Sequence, residues 1–154
     1  PIVQLVGEDF FTLLEATVKP GLTVQPHERV YIGKEGREKI ERVLGRINYE
    51  ELTATAKAEL PTVVEKIVRS HEERFIEFFN KAQPITPKMH AFELLPGIGK
   101  KFMWQIVSER ERKPFESFED IHERTQIDPV KAIVKRVIEE LSTEQKYRIF
   151  TRQV

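Results

Sequence analysis

The string Pro96-Gly97-Ile98-Gly99-Lys100-Lys101 has the residue types and spacing to hold an anion. Two glycines bracketing one apolar residue let the backbone bend sharply without a Cβ clash, while Ile98 plugs the core beneath. A helix that starts just after Gly99 leaves its first N–H groups unpaired, at the positive end of its dipole. Lys100 and Lys101 add charge beside those donors. The guest that fits is a phosphodiester oxygen, and a grip through backbone donors reads phosphate position rather than base identity. Residues 88–113 carry six Lys or Arg against three Glu, while the whole chain balances 25 basic with 25 acidic residues. A neutral chain with one basic spot implies a local hold on phosphate rather than the indiscriminate binding of a polycation.

Other chemistries find less support. With no cysteine, disulfides and thiolate metal sites are excluded. His71-Glu72-Glu73-Arg74-Phe75 approaches a zinc-protease helix, but Phe75 stands where the second histidine is required. His27, His71, His90 and His122 lack ligand spacing, and neither a Gly-x-Ser-x-Gly elbow nor a phosphate-loop string occurs. No catalytic residue, metal site or cofactor is therefore assigned. No apolar run has membrane-spanning length and the amino end does not resemble a signal peptide, so a cytoplasmic location without membrane partners is expected. The chain starts at Pro1 rather than a methionine, as a fragment of a longer protein would.

The elements that must position the bend follow from periodicity and turn signals. Residues 1–47 read as strands: 10–18, with Phe11 on the outward face; 28–33, with Arg29 and Tyr31 opposite Val30 and Ile32; and 39–47, with Gly45 as a bulge. A 3.6-residue period also fits 39–47 as a short helix, and strand is preferred. Residues 48–83 read as a helical connector. Asn48 and Glu51 form a capping box, and Pro61 opens a longer helix running to about Ala82. Residues 83–87 read as a linker, with Thr86-Pro87 starting the next helix. Residues 84–145 then repeat helix, tight turn, helix twice, Ile127 standing in the second copy where Ile98 stands in the first. Residues 146–152 are expected to return as a last strand, since three strands alone make a poor barrel.

The first bend resembles the helix-hairpin-helix family, whose consensus places Leu-Pro-Gly-Ile-Gly before such a helix. The string Lys113-Pro114-Phe115-Glu116-Ser117-Phe118-Glu119-Asp120-Ile121 resembles the connector between halves of a tandem domain of that family. The resemblance implies phosphate contact by Gly97, Gly99 and Lys101, with Lys100 nearby, and a monovalent cation held by hairpin carbonyls. In the second copy Gln126 and Asp128 replace the glycines, and Asp128-Pro129 reads as an N-cap and first-turn pair. That copy is expected to be architectural, so the first needs a further contact surface. Some members of the family are DNA glycosylases, and Asp120 lies near the distance of their catalytic aspartate. Ser117 and Asp120 fit the opening of a short helix better.

Over nearly its whole length, the chain resembles an uncharacterised archaeal family expected to bind nucleic acid through an OB-type barrel and a helix-hairpin-helix domain. The strings Phe10-Phe11-Thr12-Leu13-Leu14-Glu15, Glu28-Arg29-Val30-Tyr31-Ile32-Gly33, Glu73-Arg74-Phe75-Ile76-Glu77-Phe78-Phe79-Asn80-Lys81 and 93–101 carry the likeness. Barrels of this type stack bases on exposed aromatics beside basic groups, which singles out Tyr31 with Arg29. The expected architecture is α+β: an OB-like barrel, a helical connector and a tandem hairpin domain. The expected function is nucleic-acid binding, RNA slightly ahead of DNA, through Gly97, Gly99, Lys100 and Lys101, with Tyr31 and Arg29 secondary. The alternatives are a protein-interaction adaptor, with the hairpin domain as a structural module and the aromatic helix 63–79 facing a partner, and, less favoured, a repair glycosylase or lyase.

Overall fold

The computed structural model describes residues 1–152 of the 154-residue chain. Among these residues it is an α+β protein of two small antiparallel sheets and five helices. Strands β1 (Ile2–Val6), β2 (Leu13–Val18) and β3 (Ile40–Arg46) pair in that order. Gly45, at φ +134°, lies opposite Glu15 while Val43 pairs with Ala16, so Leu44 is an extra residue bulged from β3. The expected bulge is there, and β3 is a strand rather than a helix. Strand β1 is an addition: five residues at the chain end show too little alternation to separate from a loop.

No closed barrel forms among the described residues, for two reasons. Residues 28–33 are not a strand. Their carbonyls turn instead to a side chain, Arg37 Nε reaching the oxygens of Ile32 and Gly33 at 3.1 and 2.9 Å. Residues 146–152 are not a strand either. Phe11 also departs from expectation. It turns at φ +57° and buries its ring in the core, 6.3 Å from the ring of Phe75.

The capping box at Asn48 and Glu51 forms, Asn48 N donating to Glu51 Oε2 at 2.7 Å, but it closes only a 3-10 turn (Tyr49–Glu51). Helix α1 (Ala54–Ser70) starts a turn later, where Thr53 Oγ1 accepts from Ala56 N at 3.1 Å. Pro61 therefore sits inside α1 rather than in its first turn. The connector breaks at His71 (φ −119°, ψ 42°), and α2 (Glu72–Lys81) follows. Thr86-Pro87 opens no helix. Strands β4 (Pro84–Thr86) and β5 (Met89–His90) form a small hairpin, and a 3-10 turn (Ala91–Leu94) replaces the expected helix before the bend.

Helices α3 (Lys100–Arg112), α4 (Phe118–Thr125) and α5 (Pro129–Ser142) match expectation closely. One apolar cluster runs from Phe11 and Leu13 through Val64, Val68, Phe75 and Phe79 to Ile106, Ile121 and Val137. The aromatic helix is thus spent internally: Phe75 and Phe79 are buried and Phe78 is half-buried. That leaves the adaptor alternative without the exposed aromatic surface on which it drew. No helix of the described residues is long and apolar enough to cross a membrane.

Candidate nucleic-acid interface

The first bend is built from beneath. Ile98 and Leu95 are buried, and Ile98 N donates to Leu95 O at 3.1 Å, closing the turn. Gly97 takes φ +84°, a left-handed conformation where glycine alone is unstrained. Gly99 is extended at φ −93°, ψ −165° and precedes α3 as its N-cap, with no side chain to cap the helix. Among the described residues, the amides of Gly97, Gly99, Lys100, Lys101 and Phe102 meet no backbone or side-chain acceptor. All five residues are exposed. A Cβ built on either glycine finds nothing within 4 Å, so the space over the bend is open.

The second bend has the same outline and the opposite chemistry. Gln126 takes the left-handed position at φ +64°, and its amide donates to His122 O at 2.8 Å. Ile127 N donates to Thr125 Oγ1 at 3.2 Å, and Asp128 Oδ1 accepts from Lys131 N at 3.1 Å. Its donors are largely consumed, and a carboxylate stands at the helix start where an anion would otherwise rest.

A cleft of about 240 Å³ separates the two bends, with Gly97 and Phe102 on one wall and Asp128, Lys131 and Lys135 on the other. Lys131 and Lys135 went unread in the sequence, although their i,i+4 spacing after the Asp128-Pro129 cap puts both on one exposed face of α5. The two lysines of the first bend differ. Lys100 Nζ is tied back to Glu93 Oε1 at 2.8 Å and to Lys88 O at 2.9 Å, whereas Lys101 is exposed. Lys100 in turn holds the Glu93 carboxyl below its ordinary range, helped by the His90 amide. Among the described residues the carbonyls of Pro96, Gly97 and Ile98 accept no hydrogen bond.

His90 supports the bend from behind. It is buried, stacked 4.5 Å from the Phe92 ring, and its Nδ1 accepts from Phe92 N at 3.1 Å. Burial, then the charge of Arg110, pushes its pKa below the ordinary 6.5, against a smaller opposing pull from Glu93. The folded chain therefore binds fewer protons than the unfolded chain near and below that value. This share of stability is complete above 6.5 and is lost as pH falls through the folded pKa. Melting temperature should accordingly drop between pH 7 and pH 5 less steeply in His90→Gln than in wild type; identical slopes would show that His90 is not held neutral.

The remaining named residues lie elsewhere. Asp120 feels burial, which raises its pKa, but the Glu116 amide and Arg124 outweigh it and leave the carboxyl lowered. It accepts from Glu116 N at 3.0 Å and Arg124 Nη1 at 3.1 Å, while Ser117 Oγ caps α4 through Asp120 N. Tyr31 is 62% exposed, but on the irregular 19–39 excursion rather than on a strand. Arg29 is paired with Glu8, which raises its pKa. Both residues line a groove of about 1430 Å³ beside β1 and α1, where five carboxylates face three Lys or Arg. The bend and the Tyr31 pair are thus two separate surfaces of different charge, and no cluster of metal-ligating side chains occurs among the described residues.

A family model described as a protein of unknown function (DUF655) matches residues 1–152. An uncharacterised protein of Methanocaldococcus jannaschii is 50% identical over 154 residues, covering 99% of this chain and 71% of that protein. The crystal structure of an Archaeoglobus fulgidus protein of the DUF655 family aligns with a TM-score of 0.93 and 46% identity, over 99% of this chain and 86% of that one.

Proposed function

The chain belongs to the DUF655 family, and we propose that it binds nucleic acid by gripping a backbone phosphate at the first bend. One observation carries this reading: of two bends of like outline, the first leaves the amides of Gly97, Gly99, Lys100, Lys101 and Phe102 unpartnered and exposed, while the second pairs those of Gln126, Ile127 and Lys131 and sets the Asp128 carboxylate at its helix start. Amides from Gly97 to Phe102 supply the donors, the dipole of α3 adds to them, and Lys101 supplies mobile charge. Lys100 positions the turn through Glu93 and Lys88 more than it reaches outward. Lys131 and Lys135 across the cleft extend the positive surface that a second bend of the same kind would otherwise offer. Tyr31 and Arg29 sit in net-acidic surroundings, so the hairpin face takes the weight of the proposal. Recognition of this kind needs no catalytic group, and RNA is favoured slightly over DNA.

Titration of labelled single-stranded and duplex DNA and RNA at two salt concentrations tests it. Lys101→Glu should weaken binding about equally for every sequence and reduce the salt slope by about 1, as loss of one phosphate contact does. Wild-type salt dependence in that variant would remove Lys101 from the interface.

A further inference from the structure

From the exposed face of α3, we propose that Trp104 stacks on an unpaired base adjoining the phosphate held at the bend, which makes single-stranded nucleic acid the preferred ligand. This rests on the nucleic-acid reading above and adds to it a base-contacting residue and a strand preference.

Trp104 is the only tryptophan of the chain and is 60% exposed. The other aromatics show how unusual that is. Most phenylalanines are in the core, and Phe10, at its margin, is covered by the Arg152 guanidinium 3.5 Å from its ring centroid. Trp104 lies one turn beyond Lys100 and Lys101 on the same face, about 6 and 4.5 Å along the axis at 1.5 Å per residue. The face continues to the small, exposed Ser108. Tyr31, the other well-exposed ring, lies instead among a surplus of carboxylates, which repel a phosphate chain.

The occupant follows from charge and continuity. Lys101 and the unpartnered amides form an anion site within one helical turn of the indole, so the ligand must pair an anionic group with a flat apolar one a short reach away. A nucleotide in a strand does so. In a duplex both faces of each base are already stacked on neighbours, whereas an unpaired base has a face free for the indole.

Because Trp104 is unique, its emission reports contact directly. Adding a short single-stranded oligoribonucleotide should quench it, while a duplex of the same sequence binds with little quenching. Trp104→Ala should weaken single-strand binding about tenfold, within the range of one stacked base, leave duplex binding unchanged, and be partly rescued by Trp104→Phe. Binding seen by anisotropy of a labelled strand with unchanged Trp104 emission would overturn the inference and leave the phosphate grip standing. A blue shift growing with protein concentration alone would overturn it too, by showing that a second copy covers the indole. Absence of binding to any oligonucleotide would instead bring down the reading on which it rests.

Discussion

Replacing Glu140 by alanine is expected to cost the fold about 3–5 kcal/mol, the penalty for breaking a buried, hydrogen-bonded ion pair. Glu140 and Arg136 are 1% and 3% exposed on α5, with Arg136 Nε 2.9 Å from Glu140 Oε2. The carboxylate also accepts from the amides of Ile149, Phe150 and Thr151 at 3.0, 3.2 and 3.0 Å, and from the Thr151 hydroxyl at 2.7 Å. Arg136 reaches Tyr147 O at 2.7 Å and Leu94 O at 3.4 Å. The pair therefore fixes residues 147–151 in place of a strand ladder and braces the turn that leads into the bend. Alanine would orphan three amides and strand a buried guanidinium. Melting temperature should fall by roughly 6–20 °C, at about 2–4 °C per kcal/mol for a chain of this size. Replacing both partners with apolar residues should not restore stability, because the three amides would still lack their acceptor. Full recovery in such a double variant would show that the ion pair, and not the tether, is what matters.

The second large effect is on binding. Gly99→Val should leave the fold within about 1 kcal/mol of wild type, the scale of an N-cap change. The backbone there is extended and the added Cβ meets nothing within 4 Å. Binding should nevertheless fall about tenfold for each charge-assisted amide bond that the side chain forfeits, since its methyl groups crowd the approach to the α3 amides. Gly97→Val makes the contrast. At φ +84° a branched side chain adds strain of about 1–3 kcal/mol, so that variant should lose stability and binding together. Melting and affinity measured on both variants separate a ligand-facing glycine from a conformational one. Wild-type affinity in Gly99→Val would remove the bend from the interface.

How much was legible in the sequence depended on whether local signals had competitors. Helices α3 to α5 were readable because stripe, cap and turn residues agree: Ser117 and Asp128 both cap as their positions predict. The open donors of the first bend were readable from two glycines alone. Elsewhere a local signal lost to a tertiary one. The alternation of residues 28–33 looks like a strand, yet no neighbouring strand receives it and Arg37 satisfies its carbonyls. Thr86-Pro87 has the form of a helix start and instead turns between β4 and β5. Pro61 was read by its first-turn preference, while Thr53 had already begun the helix. The Arg136–Glu140 pair left a signal that went unused: Val130, Ile133, Val137 and Glu140 follow one 3.6-residue stripe, so Glu140 had to be buried and partnered. Trp104 was missed because exposure cannot be told from residue type, and an isolated aromatic in a helix reads first as core.

The proposed grip places a phosphate on the amides at the start of α3. Two-dimensional amide spectra of the protein titrated with a short single-stranded oligoribonucleotide address it residue by residue. The amide signals of Gly97, Gly99, Lys100, Lys101 and Phe102 should shift together, while those of Gln126, Ile127 and Asp128 stay nearly still. Saturable binding that moves the second bend or the 19–39 excursion and leaves residues 97–102 unmoved would contradict it.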